Sequence, residues 1–236
     1  MLPLAALAAA SIAQASASIS DVYQRNFQDA SFTARVVTGN QAELQKINKD
    51  FGASYRFKFT HVKIKEPFKL RLESEVDDTQ AVMVLNGPTQ LLRVPRIRFS
   101  QKTNLADEAG RRQTLLDFGV LTPSLFEDLF QAKFVRVDRA TNDLVFDITF
   151  HPKYDNTTRH RVWIDREKRV VSKREWYNQH GRQLATFFYE NPKQIAGVWF
   201  PTQVTVRNME NKVAGVTEYT NLKVNSGLSE DLFKVN

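Results

Sequence analysis

The chain has 236 residues, 42% of them hydrophobic and 25% charged, with a net charge of +7 and no cysteine. That length and composition suit one large globular domain and exclude a disordered or low-complexity chain. The lack of cysteine excludes disulfides, thiolate metal sites, cysteine nucleophiles and a lipidated N-terminal cysteine.

Residues 1–17 read as an export leader. The apolar run from Leu2 to Ala13 falls short of the ~20 residues that span a bilayer, and small-x-small sites follow at Ala13-Gln14-Ala15 and Ala15-Ser16-Ala17. An Ala-rich first helix that stays in the protein is the alternative. Removal of the leader would leave residues 18–236 as a single soluble domain beyond the inner membrane. Ile19, Val22, Tyr23 and Phe27 fall on one stripe of a short amphipathic helix.

Strands follow. Ser31 to Thr38 is rich in β-branched residues. From Ala53 to Lys63, Tyr55, Phe57 and Phe59 alternate with Arg56, Lys58 and Thr60; from Phe68 to Glu75, Phe68, Leu70 and Leu72 alternate with Lys69, Arg71 and Glu73. This period of two marks a sheet with one dry and one wet face. Asn86-Gly87 closes a hairpin between Ala81–Leu85 and Gln90–Ile97. The acidic Asp77-Asp78 sits where a turn favours Asp.

The middle departs from the pattern. After a polar stretch at 104–110, Thr122 caps and Pro123 starts a helix through Phe130, with Leu125, Phe126, Leu129 and Phe130 as its apolar stripe. Gly110 and Gly119 bracket a segment able to hinge. Strands resume at 134–138, 144–151, 158–165, 170–177, 183–190, 203–207 and 213–224, joined by short turns that imply antiparallel neighbours. About ten or eleven strands in one antiparallel sheet should curl strongly. The expected fold is mostly β with a few helices (α+β): a half-open barrel covered by helices.

Chemical signatures are sparse. His61, His151, His160 and His180 form no metal-ligand spacing, and no nucleophile elbow, phosphate loop or dinucleotide fingerprint occurs. The sequence therefore offers no catalytic residue, no metal site and no cofactor, and reads as non-enzymatic. Asn156-Thr157-Thr158 matches a glycosylation sequon by composition alone. Basic clusters at Arg93–Arg98, Arg159–Arg161 and Lys168–Arg174 suit an anionic membrane surface or simply a solvated face, and export argues against nucleic acid.

The positive signal is aromatic: seventeen Phe, six Tyr and three Trp, mostly on strands. One curved sheet has more apolar inner face than a few helices hide, and uncovered apolar surface calls for a ligand or partner. The candidate apolar cavity comprises Phe57, Phe59, Leu70, Leu72, Phe146, Ile148, Phe150 and Trp176, with Leu121, Phe126 and Leu129 from the helical excursion as a lid. A permanently docked helix is the plainer reading of that excursion.

The C-terminal half carries Trp176-Tyr177-Asn178-Gln179-His180-Gly181-Arg182, Tyr189-Glu190-Asn191-Pro192-Lys193, Gly197-Val198-Trp199-Phe200-Pro201-Thr202 and Leu228-Ser229-Glu230-Asp231-Leu232-Phe233. With Lys65-Glu66-Pro67-Phe68-Lys69-Leu70-Arg71 upstream, this pattern resembles the outer-membrane lipoprotein-sorting (LolA-like) family. The resemblance implies a lidded half-barrel and no enzyme activity. It implies a periplasmic, monomeric carrier that binds acyl chains of lipoproteins or lipids and meets a membrane transporter or acceptor protein transiently. It also implies an arginine that holds the lid, for which Arg71 is the candidate by motif position, although alternation sets Arg71 opposite Leu70 and Leu72. A lipid-sensing regulator of an envelope-stress pathway is the second reading, and an enzyme acting on envelope lipid or glycan the third.

Overall fold

The computed structural model describes residues 16–76 and 78–235. The predicted leader, residues 1–17, lies almost wholly outside them, as does Asp77. The elements are β1 (Asp29–Gly39), α1 (Gln41–Ile47), α2 (Lys49–Ser54), β2 (Phe59–Lys65), β3 (Lys69–Val76), β4 (Thr79–Asn86), β5 (Thr89–Val94), β6 (Phe99–Asn104), β7 (Phe130–Val137), β8 (Leu144–Phe150), β9 (Arg159–Asp165), β10 (Val170–Tyr177), β11 (Gln183–Glu190), β12 (Lys193–Ile195), β13 (Val198–Phe200), β14 (Gln203–Asn208) and β15 (Val213–Val224).

Thirteen strands form one open antiparallel sheet in the order β6-β5-β4-β3-β2-β1-β15-β14-β11-β10-β9-β8-β7, while β12 and β13 make a separate hairpin. The sheet is larger than the ten or eleven strands expected. The edge strand β6 is one source of the difference: it reads Phe-Ser-Gln-Lys-Thr-Asn and is exposed along most of its length, so it carries no alternation to detect.

The helices also differ from the prediction. Residues Ala53 and Ser54 belong to α2, and the strand there starts only at Phe59. Two asparagines explain the helices: Asn40 Oδ1 accepts from Ala42 N at 3.1 Å, and Asn48 Oδ1 accepts from Asp50 N at 2.8 Å, capping α1 and α2. The predicted helix at 19–27 contracts to a 3-10 turn, Ile19–Val22.

Alternation assigns the faces. Phe32 on β1, Val62 and Ile64 on β2, Leu70 on β3, Phe146, Ile148 and Phe150 on β8, and Phe187 and Tyr189 on β11 are buried in one continuous cluster on the inner face. The outer face is tied by cross-strand ion pairs, as where Asp147 accepts from Arg159 at 3.0 Å and from Arg161 at 2.8 Å. It also receives the C-terminal tail, whose Leu228, Leu232, Phe233 and Val235 pack on Val82, Val84 and Leu91. Asp29 anchors that tail from β1, its carboxylate accepting from the backbone of Ser226 at 2.8 Å, Gly227 at 3.0 Å and Leu228 at 3.2 Å.

His160 lies on the inner face of β9, opposite Ile148 and Trp176, with the Phe130 ring 6.5 Å away. Burial, helped by the charge of Arg174, holds its pKa well below the ordinary 6.5, so the folded protein keeps it neutral. Below pH 6.5 the unfolded chain takes up a proton that the folded chain refuses, and stability is lost as pH falls.

Two measurements check this packing. Asp29→Ala strips three tail amides of the buried carboxylate that accepts from them and should cost about 2–4 kcal/mol in denaturant unfolding. His160→Leu should flatten the acid side of the stability–pH profile relative to the wild-type chain, in which stability falls by up to ~1.4 kcal/mol per pH unit below the His pKa.

Candidate functional site

Strands β6 and β7 follow one another in sequence but form opposite edges of the sheet. Residues 105–129 must therefore cross the inner face from edge to edge, and they form a strap over it. Leu105, Leu115, Leu116, Phe118, Val120, Leu121, Leu125 and Leu129 are buried in the same cluster as the inner face. The strap contains a 3-10 turn, Leu115–Phe118, and a short helix whose residues Leu125–Leu129 are π-wound. The N-terminal segment packs beside it: Gln24 N donates to Leu121 O at 2.8 Å, and Tyr23 stacks on Phe126 with ring centroids 5.3 Å apart.

Polar groups latch the strap at two places. Under its middle, Arg174 of β10 is 4% exposed and donates through Nη1 to Asp117 Oδ1 at 2.8 Å, with its guanidinium 4.2 Å from the Phe187 ring. Tyr189 of β11 donates its hydroxyl to Leu116 O at 3.2 Å. Burial disfavours the charge on Arg174, but Tyr189 and Asp117 together outweigh it and its pKa ends above the usual value. Gly119 completes the contact. It ends the turn with φ +78°, and a Cβ there would lie 2.6 Å from the Tyr189 ring. At the other place, Thr122 Oγ1 donates to Glu66 Oε1 at 2.6 Å and Ser124 Oγ donates to the other oxygen of that carboxylate. Thr122 precedes the helix as expected, but its hydroxyl serves Glu66 instead of capping.

The predicted cavity residues separate into two groups. Leu70, Phe146, Ile148 and Phe150 are buried on the inner face, and Leu72 and Trp176 are half-buried against them. Leu121, Phe126 and Leu129 lie in the strap that covers this face. Phe57 and Phe59 do not belong to it. Phe57 sits in the turn after α2, and Phe59 is 54% exposed and shares the outer face with Arg35, its register partner. The alternation read from 55 to 59 was set by residues of a helix end and carried the wrong phase into β2, where Val62 and Ile64 point inward.

Arg71 does not hold the strap. It faces outward, pairs with Glu73 and donates to Leu232 O at 3.1 Å, so it tethers the tail. The latch arginine is Arg174, which a bulge between Val171 and Lys173 turns inward against the period of its strand. The hollow expected beneath the strap is filled by the chain's own side chains. Between Ile64, Leu70, Leu115, Phe118 and Leu125 a gap of about 20 Å³ remains, room for one water molecule. A larger cleft of about 750 Å³ opens beside Phe59, His61, Arg71 and Glu73 and is lined mainly by charged and polar groups.

The basic clusters resolve differently. Arg159, Arg161, Lys168, Lys173 and Arg174 all sit in ion pairs. Around β5 and β6, Arg98 is exposed between Ile97, 69% exposed, and Phe99, 39% exposed, and Lys102 is exposed further along β6. Among the described residues, no group of three or more His, Asp or Glu is arranged to hold a metal ion.

The C-terminal motifs are structural. Asn178 Oδ1 accepts from His180 N and Arg182 N to shape the β10–β11 turn, Gly197 turns the β12–β13 hairpin with φ +77°, and Thr202 Oγ1 donates to Asn191 O at 2.7 Å.

Solved structures share this architecture. A LolA superfamily protein from Nitrosomonas europaea superposes with a TM-score of 0.60 at 14% identity, over 92% of this chain and 94% of that one. A domain named as an outer membrane lipoprotein-sorting protein from Vibrio parahaemolyticus gives 0.59 at 13% identity, over 92% and 93%. A DUF1329 family protein from Desulfovibrio piger gives 0.59 at 12% identity, over 92% and 93%. No curated protein matches in sequence. A family model described as "Uncharacterized protein" matches residues 117–236. The chain has the fold of the LolA superfamily and belongs to the family whose model spans its C-terminal half.

Proposed function

We propose that the protein is a periplasmic carrier that binds acyl chains of lipoproteins or lipids by exchanging them for the strap. In this reading the leader is cleaved and the mature monomer is soluble. Its sheet curls into a half-open barrel, and residues 105–129 lift from the inner face to admit the chain. The observation that carries the reading is the strap itself. It is a long crossing segment, short of regular helix, that hides an aromatic inner face and is tied down by a few polar latches. Regular α-helices would bury their backbone bonds internally, whereas 3-10 and π turns detach at smaller cost. The folds named for lipoprotein sorting support the same assignment.

Once the strap lifts, Leu70, Leu72, Phe146, Ile148, Phe150 and Trp176 would contact the acyl chain, and Leu121, Phe126 and Leu129 would close over it. Each buried methylene contributes about 0.8 kcal/mol, so an ordinary acyl chain is held without covalent chemistry. The apolar tips Ile97 and Phe99, together with Arg98 and Lys102, would dock the loaded carrier on an anionic membrane near its transporter or acceptor.

Locking the strap tests the reading. The native chain has no cysteine, so Glu66→Cys with Ser124→Cys, joined by a short bis-maleimide, fixes the strap to the β2–β3 turn. The cross-linked protein should lose binding of a fluorescent acyl probe that the uncross-linked double variant retains. Equal binding by both would exclude strap exchange. Separately, Ile97→Glu with Phe99→Glu should abolish co-sedimentation with phosphatidylglycerol vesicles and leave acyl-probe binding unchanged.

A further inference from the structure

The latch pair is asymmetric. Asp117 keeps 33% of its side chain exposed, whereas the side chain of Arg174 keeps 5%. When the strap lifts, Asp117 returns to water with it. Arg174 stays on β10 between Val162 and Phe187, its register partners on β9 and β11. A guanidinium left there without a counter-charge is an uncompensated buried ion, which is strongly destabilising. A bare hydrocarbon chain cannot relieve that cost.

Two further polar atoms point into the same region. Arg174 Nε and His160 Nδ1 are buried and have no hydrogen-bond partner among the described residues. His160 faces Trp176 across the β9–β10 pair, two positions along β9 from Val162, which faces Arg174. Arg174 and His160 are therefore diagonal neighbours on one face. Beyond His160 the same face continues through Ile148 and Phe150, with Phe130 against both His160 and Phe150. The arrangement is an arginine fork and an imidazole at the head of an apolar lane.

We infer that Arg174, with His160 beside it, is the head-group site of the inner face, and that the ligand displacing the strap is an acyl chain carrying an anionic head. The head replaces the Asp117 carboxylate. Its two oxygens accept from Nε and Nη2 of Arg174, the edge that carries the unpartnered Nε, and the third contact comes from His160, while the chain runs along Ile148, Phe150 and Phe130. A carboxylate and a phosphate both meet this requirement, since both offer paired oxygens to a planar fork. The site rests on the carrier reading and specifies which lipids it takes.

The test compares three single-chain ligands of equal length on the intact protein by calorimetric titration: palmitate, hexadecyl phosphate and hexadecanol. Charged hydrogen bonds contribute about 1.5–3 kcal/mol, so one or both anions should bind roughly 10–100-fold more tightly than the alcohol. Preference between palmitate and the phosphate identifies the head. Arg174→Met should abolish the difference between the anions and hexadecanol, and Arg174→Lys should keep part of the preference. If Arg174→Met fails to fold, the wild-type ratio decides alone. Equal affinity for all three ligands in the wild-type protein overturns the head-group site and leaves acyl binding standing. Failure of all three to bind overturns both.

Discussion

The structure depends on one topological constraint: two strands adjacent in sequence close off opposite edges of a thirteen-stranded open sheet. The connection between them has no short route. It must travel over a face, and the inner face is the one with apolar surface to cover. A connecting loop ordinarily runs over the outside of a protein because its backbone needs water. This one runs through the core, so its backbone groups are satisfied by side chains and by neighbouring backbone: Tyr189 for Leu116, Val171 N for Gly119 O at 3.0 Å, Gln24 N for Leu121 O. The strap is thus a loop by connectivity and a core element by packing.

That double nature explains where the charges lie. A wholly apolar strap on a wholly apolar face would be a permanent plug. Here the interface contains a buried arginine whose carboxylate partner is on the strap and about one-third exposed. Replacing such a pair with hydrocarbon is often neutral or stabilising, so the pair is poorly explained by stability alone. It fixes the register of the strap, because Asp117 is the carboxylate paired with Arg174, and in the proposed exchange it would make detachment conditional on a substitute acceptor. Glu66 performs the first of these roles for Thr122 and Ser124 at the opposite end of the strap.

The sheet and most of its strands were legible because amphipathic antiparallel strands write their burial into the sequence. Residues 68–75 and 144–151 read correctly for that reason. Three features were not legible. Edge strand β6 has two wet faces and no period to detect. The phase of β2 was masked by α2, since Tyr55 and Phe57 belong to a helix end whose aromatics happened to fall in alternation. The latch was hidden because motif position pointed to Arg71, an outward residue, while Arg174 sits in Val-Val-Ser-Lys-Arg-Glu-Trp-Tyr, where a bulge between Val171 and Lys173 shifts the period by one. Without that bulge Arg174 would point to the outer face and reach water. Local sequence cannot announce a bulge, and so the one inward charge of β10 looked like any other basic residue.

The filled interior fits exchange better than it fits an empty pocket. An open apolar hollow large enough for a lipid would expose the aromatic face to water whenever it was empty, inviting aggregation. The strap removes that cost by occupying the site itself. Burying a Leu or Phe contributes roughly 1.5–3 kcal/mol, so displacing four or five of the strap's buried apolar side chains would cost about 6–15 kcal/mol. A sixteen-carbon chain contributes about 12 kcal/mol at 0.8 per methylene. The two are close enough that a single charged contact decides the direction. If the proposed exchange operates, loading would depend on whether the incoming lipid satisfies Arg174 better than Asp117 does, and release on the reverse. In that reading the latch would set the selectivity of an exchange that hydrophobic burial alone leaves nearly balanced.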